Sequence, residues 1–307
     1  MPQSLKIGTR SSPLALWQAE WVRARILDRY PELEVSLVTI KTTGDRIQDV
    51  PLAKVGGKGL FVKEIEEAML AGAVDIAVHS MKDVPTGFPP GLGLVCTTRR
   101  EDPRDALVSR GVSFGELPRG ARVGTSALRR QAQLLAVRPD LKMVVIRGNV
   151  ETRLGKLDSE RLDAVVLAAA GLKRLGFADR VTEYLPVQVS LPAIGQGALG
   201  IECRLDDREL VEMISFLNDP DTQQAVGAER AFLFRCEGGC QVPLAAFGEM
   251  DGGRLRLTGL ISSIDGARTV RGSISGPPES FHALGTALAD RLLADGGREI
   301  LREVYGK

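Results

Sequence analysis

The chain has 307 residues, of which 44% are hydrophobic and 26% charged, and its net charge is +1. That length holds more than one core, and near-neutrality gives no reason to expect nucleic acid or a membrane surface as a partner. Four cysteines (Cys96, Cys203, Cys236, Cys240) and two histidines argue against a disulfide framework and a histidine-built metal site. Cys236 and Cys240 have no second ligand pair at zinc-like spacing. No basic-then-apolar leader opens the chain and no apolar run is long enough for a bilayer, so the expected home is a reducing cytoplasm.

The predicted elements alternate strand and helix through the first two-thirds. Residues 5–9 read as a strand. Ser12-Pro13 then opens a helix, with Ser as cap and Pro in the first turn. Leu14, Trp17, Trp21 and Ala24 recur at helical spacing as its apolar face. A strand at 35–40, a helix at 60–71 and a strand at 74–79 follow, the last running into Ser80-Met81-Lys82-Asp83. This is βαβ logic with a mostly parallel sheet. Glu101-Asp102-Pro103-Arg104 reads as a hinge into a second unit of the same kind. Its strands are expected near 122–123, 143–146 and 164–168, its helices at 126–137 and 150–158. A strand at 199–203 is expected to return to the first lobe. Past Asn218-Asp219-Pro220, read as a linker, come a helix at 222–235, short strands at 255–261 and 269–274, and helices at 280–293 and 298–304. The predicted division is 1–99 with 197–217, then 103–193, then a small α+β domain at 221–307.

Of the 40 basic residues, 30 are Arg and 10 are Lys. Arg offers a planar, bidentate fork suited to carboxylates. Composition bias explains such an excess as readily, so position matters more than number. Arg10 and Ser12 follow the first strand. Arg129 and Arg130 open the helix after Gly124-Thr125-Ser126, Arg147 ends a strand, Arg153 lies early in the next helix, and Arg174 follows Gly171. Strand carboxyl ends form the ligand crevice of open α/β sheets, and helix N-termini there add donors. Any one of these arginines alone is more simply a solvated side chain; all of them at one topological end favour an anion site. Asp83 at a strand end reads either as a cap or partner of Lys82, or as an acid stabilising a cationic intermediate and relaying protons. His79, still within the strand, reads as structural. The glycine-rich stretch around Lys54 and Lys58 reads as a lid; it lacks P-loop spacing. Cys240, behind two glycines, reads equally as a small buried residue or as a reactive or modified thiol.

These residues lie in runs that resemble the porphobilinogen deaminase (hydroxymethylbilane synthase) family almost end to end. The runs are Gly8-Thr9-Arg10-Ser11-Ser12-Pro13-Leu14-Ala15-Leu16, Gly56-Gly57-Lys58-Gly59-Leu60-Phe61, Ala77-Val78-His79-Ser80-Met81-Lys82-Asp83, Arg147-Gly148-Asn149, Leu191-Pro192-Ala193-Ile194-Gly195-Gln196-Gly197-Ala198 and Glu237-Gly238-Gly239-Cys240-Gln241-Val242-Pro243. The resemblance implies an α/β fold of two periplasmic-binding-protein-like lobes with mainly parallel sheets, plus the small third domain. It implies a transferase that joins four porphobilinogen units, with loss of ammonia, onto a dipyrromethane cofactor tethered through Cys240, then releases hydroxymethylbilane by hydrolysis. It implies a catalytic Asp83, cofactor contacts from Lys82, Asp83, Thr125, Ser126, Arg129, Arg130, Arg153 and Gly197, and substrate contacts from Arg10, Ser12, Gln18, Arg147, Arg153 and Arg174. Lys54, Lys58 and Phe61 would belong to the lid. Porphobilinogen is the expected partner, with no metal, nucleic acid or membrane, and the protein is expected to be a monomer.

Two residues depart from the family pattern. Ala127 stands where a serine is frequent, which removes a hydroxyl from the cofactor side. Cys236 stands where leucine is frequent and is expected to be buried in its place. The rival reading from residues alone is a non-catalytic bilobal receptor for a small organic anion; Cys240, Asp83 and the third domain weigh against it.

Overall fold

A computed structural model describes residues 3–46, 61–237 and 242–306. The predicted lid residues Lys54 and Lys58, and Cys240 itself, lie outside the described residues. By internal contacts the chain divides into two units, Met1–Arg100 with Ala198–Gln223, and Glu101–Gly197 with Gln224–Lys307.

The first unit is built on a five-stranded sheet. Its strands are β1 (Ser4–Thr9), β2 (Glu34–Thr39), β3 (Ile76–Ser80), β4 (Leu92–Thr97) and β10 (Leu199–Arg204), in the order β2-β1-β3-β10-β4. β1 pairs in parallel with β2 and β3, whereas β10 is antiparallel to both its neighbours. The strand that returns late in the chain therefore fills a gap inside the sheet. Helix Pro13–Arg29 covers one face. Ser12 caps it, accepting from the Ala15 N–H at 3.4 Å, and Pro13 sits in the first turn. Its buried stripe is Ala15, Gln18, Ala19, Val22 and Ile26. This corrects the face read from sequence: Trp17 and Trp21 are only half-buried and Ala24 is exposed. Small and branched side chains pack closest to the sheet, and the bulky indoles lie along the flank.

The second unit repeats the plan. β5 (Asp105–Ser109), β6 (Arg122–Gly124), β7 (Lys142–Val144), β8 (Ala164–Ala168) and β9 (Glu183–Tyr184) lie in the order β7-β6-β8-β5-β9. β6 is parallel to β7 and β8, and β5 is antiparallel to β8 and β9. Each sheet thus has one reversed strand, fourth in order. Successive residues feed two cores, Ala106, Val108, Val165 and Leu167 on one face, Leu107, Ala164 and Val166 on the other. That two-sided burial is why these strands read as continuous apolar runs without alternation.

The same unit carries an antiparallel meander of β11 (Leu244–Asp251), β12 (Arg254–Ser262) and β13 (Thr269–Gly276). Helices Pro220–Arg235, Phe281–Leu292 and Arg298–Val304 supply the apolar residues that fill its core. β11, β4 and β5 were not read from the sequence. Pro220 starts a helix rather than ending a linker: Asp219 accepts from the Thr222 N–H at 2.8 Å and so caps it. Among the described residues no helix is long and apolar enough to cross a membrane, and no cluster of His, Cys, Asp or Glu could hold a metal.

Candidate functional site

In the first unit the parallel strands β1, β2 and β3 bring their carboxyl ends to one edge. Arg10 and Ser12 follow β1, and Lys82 and Asp83 follow β3 in a single 3-10 turn, Met81–Asp83. Asp83 is exposed. Among the described residues its carboxylate makes no hydrogen bond or ion pair, so it is neither a cap nor the partner of Lys82. The Arg10 guanidinium carbon sits 4.2 Å from the centre of the Phe61 ring. That stacking orients a cation without consuming its N–H donors. Gln18 is 3% exposed and its Nε2 has no acceptor among the described residues. A buried amide donor left unpaired costs roughly 1–3 kcal/mol, a cost that a ligand oxygen would remove.

His79 is also buried, with Nε2 2.9 Å from Glu202 Oε2. Glu66 lies close enough to this pair for burial, and then the Glu202 charge, to raise its pKa. The group belongs to the interior of the unit, in keeping with the structural reading of His79.

In the second unit β6, β7 and β8 likewise end at one edge. After β6, Thr125 is buried and its hydroxyl accepts from the Ala127 N–H at 3.3 Å, while Ser126 is exposed. Helix Leu128–Val137 then starts on Ala127, which offers no side-chain cap. The sequence placed this start two residues earlier. An uncapped first turn leaves backbone donors for an anion. Arg129 and Arg130 lie in that turn, each 5% exposed, and both bind the fully buried carboxylate of Asp105. Burial alone would raise the Asp105 pKa; the Arg129 and Arg130 charges outweigh it and hold the carboxyl well below its usual range.

Arg147 lies in the turn after β7, three residues past its end, where the sequence reading had it end the strand. Gly148 there has φ +111°, and a Cβ would come within 2.6 Å of Thr152 Cγ2. Asn149 caps the next helix, accepting from the Thr152 N–H at 2.8 Å. Arg153 folds back to this turn, Nε donating to the Gly148 carbonyl at 2.8 Å. Arg174 ends the helix after β8 and donates Nη2 to the Gly197 carbonyl at 2.7 Å. Burial lowers its pKa to about 10, so it stays cationic at neutral pH. Gly197 has φ +97°, a conformation that suits glycine.

Four residues of the same unit escaped the sequence reading. Asp105, Ser190 and Gln196 form one buried group around the Asp105 carboxylate. Glu229, fully buried on helix Pro220–Arg235, accepts from the Gly195 N–H at 2.6 Å and the Gly248 N–H at 2.8 Å. It fixes the Gly195–Gly197 turn to the C-terminal meander. Gln196 lay inside a quoted run without a role of its own, and Asp105, Ser190 and Glu229 were only single polar residues outside the runs. Cys236 is 4% exposed within the C-terminal core, and burial pushes its thiol up to about 12. Glu237 follows with φ +51°, and its carbonyl accepts from the Tyr305 hydroxyl at 2.9 Å.

Each unit therefore presents cations at the carboxyl ends of its parallel strands, and the first unit adds an acid unpaired among the described residues. Cations so placed can pair with carboxylates. The family model described as "Porphobilinogen deaminase, dipyromethane cofactor binding domain" matches residues 5–212, and "Porphobilinogen deaminase, C-terminal domain" matches 223–294. The chain is similar to the porphobilinogen deaminase of Geobacter sulfurreducens, 71% identical over 301 residues, covering 98% of this chain and 95% of that one. It is 69% identical over 303 residues to that of Geotalea uraniireducens, covering 99% and 95%. Among solved structures, the methionine binding protein MetQ aligns with TM-score 0.44 and 18% identity, over 76% of this chain and 96% of that one.

Proposed function

The chain belongs to the porphobilinogen deaminase family, and from that premise we propose that it joins four porphobilinogen units in sequence, releasing ammonia at each addition and hydroxymethylbilane at the end. The family match along nearly the whole chain carries this reading. The cofactor is a dipyrromethane primer, joined through a thioether at Cys240. The uncapped turn at Ala127 and the guanidinium groups of the second unit fit a group bearing several carboxylates. Lys82, Asp83, Thr125, Ser126, Arg129, Arg130, Arg153 and Gly197 would hold the primer, which would supply the pyrrole carbon for the first unit, each later unit joining the ring added before it. Arg10, Ser12, Gln18, Arg147, Arg153 and Arg174 would bind incoming porphobilinogen.

Forked guanidinium groups suit this task because every added ring brings two more carboxylates, and bidentate pairs hold them with geometry as well as charge. Loss of ammonia leaves the substrate electron-poor. An acid with no ion-pair partner among the described residues, as Asp83 is, can stabilise that positive charge and carry the proton exchanged in the step. Lys54, Lys58 and Phe61 would close over the site. We read three domains (1–99 with 197–217, 103–193, and 221–307) in a monomer that works in the cytoplasm. The test is direct: incubate the protein with porphobilinogen and follow uroporphyrin after acid oxidation. Intact-protein mass spectrometry should show the added mass of a dipyrromethane on Cys240. An intact, primer-loaded sample with no turnover refutes the reading.

A further inference from the structure

We infer that Asp105 is a positioning residue of this reaction, holding Arg129 and Arg130 as a fixed pair of primer-binding cations. The inference rests on the function proposed above and deepens it. Asp105 is the first residue of β5, the reversed strand, so it stands at the edge where its antiparallel neighbour β8 ends; in register it faces Ala168. Its Oδ2 accepts from Arg129 Nη1 at 2.7 Å and from Ser190 Oγ at 2.7 Å. Its Oδ1 accepts from Arg129 Nη2 at 3.1 Å, Arg130 Nε at 2.9 Å and Gln196 Nε2 at 2.9 Å. Arg129 Nη1 also reaches the Leu191 carbonyl at 2.5 Å, and Arg130 Nη1 the Val166 carbonyl at 3.1 Å.

Two features make this more than a buried ion pair. The first is charge: two guanidinium groups against one carboxylate leave one positive charge uncompensated in a buried setting, which is costly unless an anion arrives. The second is donor count. Arg129 has five N–H groups; two on Nη1 and one on Nη2 are used, so Nε and one Nη2 hydrogen have no acceptor among the described residues. A carboxylate of the primer satisfies both. Without Asp105, two like charges side by side would move apart and lose that geometry.

The experiment compares wild type, Asp105→Asn, Ser190→Ala, Arg129→Lys and the two doubles with Arg129→Lys, as holoenzymes. Intact mass gives the primer-loaded fraction, and steady-state kinetics gives kcat and KM per loaded molecule. Because Asp105 acts on the primer side, Asp105→Asn should cut loading by more than half. It should also cut kcat by about tenfold with KM changed by less than about threefold, as expected when an interaction of the bound state is lost. Ser190→Ala should cut kcat by about two- to fivefold. Each double should be little worse than Arg129→Lys alone, since contacting residues couple. Folded Asp105→Asn with wild-type loading and kcat overturns the inference, as do additive losses in the doubles. Should Asp105→Asn fail to fold, the Ser190→Ala cycle decides on the same criterion. Wild type without primer or turnover overturns the functional reading and this inference with it.

Discussion

Asp83 and the cysteines make the sharpest claims at the scale of single residues. Asp83 has no ion-pair or hydrogen-bond partner among the described residues, so its removal should cost the fold little and, on the proposed role, the chemistry much. Asp83→Asn should leave the thermal midpoint within about 2 °C, a surface-substitution effect, keep the primer attached, and lower kcat by at least about 100-fold, the scale of general acid–base catalysis. Near-wild-type turnover would remove Asp83 from its role. The other thiols make a different test. Cys96, Cys203 and Cys236 are buried, and burial pushes them up to about 12, about 11 and about 12. Thiolate, not thiol, is the nucleophile, so native protein should resist iodoacetamide at pH 7.5. In denaturant three thiols should alkylate, not four, if the fourth sulfur carries the proposed thioether. Four labelled cysteines would contradict the tether.

The turn after β7 carries two of the arginines proposed to bind substrate. Gly148 holds φ +111° with Thr152 against it, and its carbonyl anchors Arg153. Gly148→Ala should cost about 1–3 kcal/mol in urea unfolding, the scale of stored backbone strain. It should also raise the KM for porphobilinogen, because Arg147 and Arg153 flank the displaced backbone. An unchanged KM would separate this turn from binding. The position of these arginines was legible in the sequence because glycine, cap and arginine recur at short fixed offsets. The helix starting at Ser12-Pro13 was legible for the same reason. Its buried face was not, since two tryptophans dominate the apolar pattern while Ala15, Ala19 and a buried Gln18 line the contact. β4 and β5 were missed because each begins beside prolines or charges, in Pro89-Pro90 and Pro103-Arg104-Asp105. The Asp105 group was illegible for a deeper reason: its members come from residues 105, 129, 130, 190 and 196, and only tertiary structure assembles them.

Acid sensitivity belongs to the molecule as a whole. Burial alone would raise Asp102, but hydrogen bonds from Arg104 and Lys173 bring it down to about 2, and Asp105 lies below its usual range as well. Unfolded aspartate titrates at about 3.9. Both folded values lie below that, so these groups contribute their full stability above about pH 4, and the Asp102 contribution is lost as pH falls through about 2. Thermal midpoints measured from pH 7 downward should therefore hold steady to about pH 5 and fall on further acidification. Asp102→Asn should flatten part of that fall. A profile identical to wild type would show that Asp102 is not a source of it.

The reversed strand β10 has a consequence for biosynthesis. Among the described residues β4 pairs with no other strand of its sheet than β10. A ribosome that has made only the first hundred residues has therefore produced a sheet split in two, with raw edges at β3 and β4. Those edges wait for residues 199–204 while the whole intervening lobe is translated, about 5–20 s at ordinary elongation rates. Exposed strand edges invite pairing with other chains. The newborn polypeptide is thus most vulnerable to aggregation in that interval, and slowing elongation between codons 100 and 200 should lengthen its need for chaperone protection.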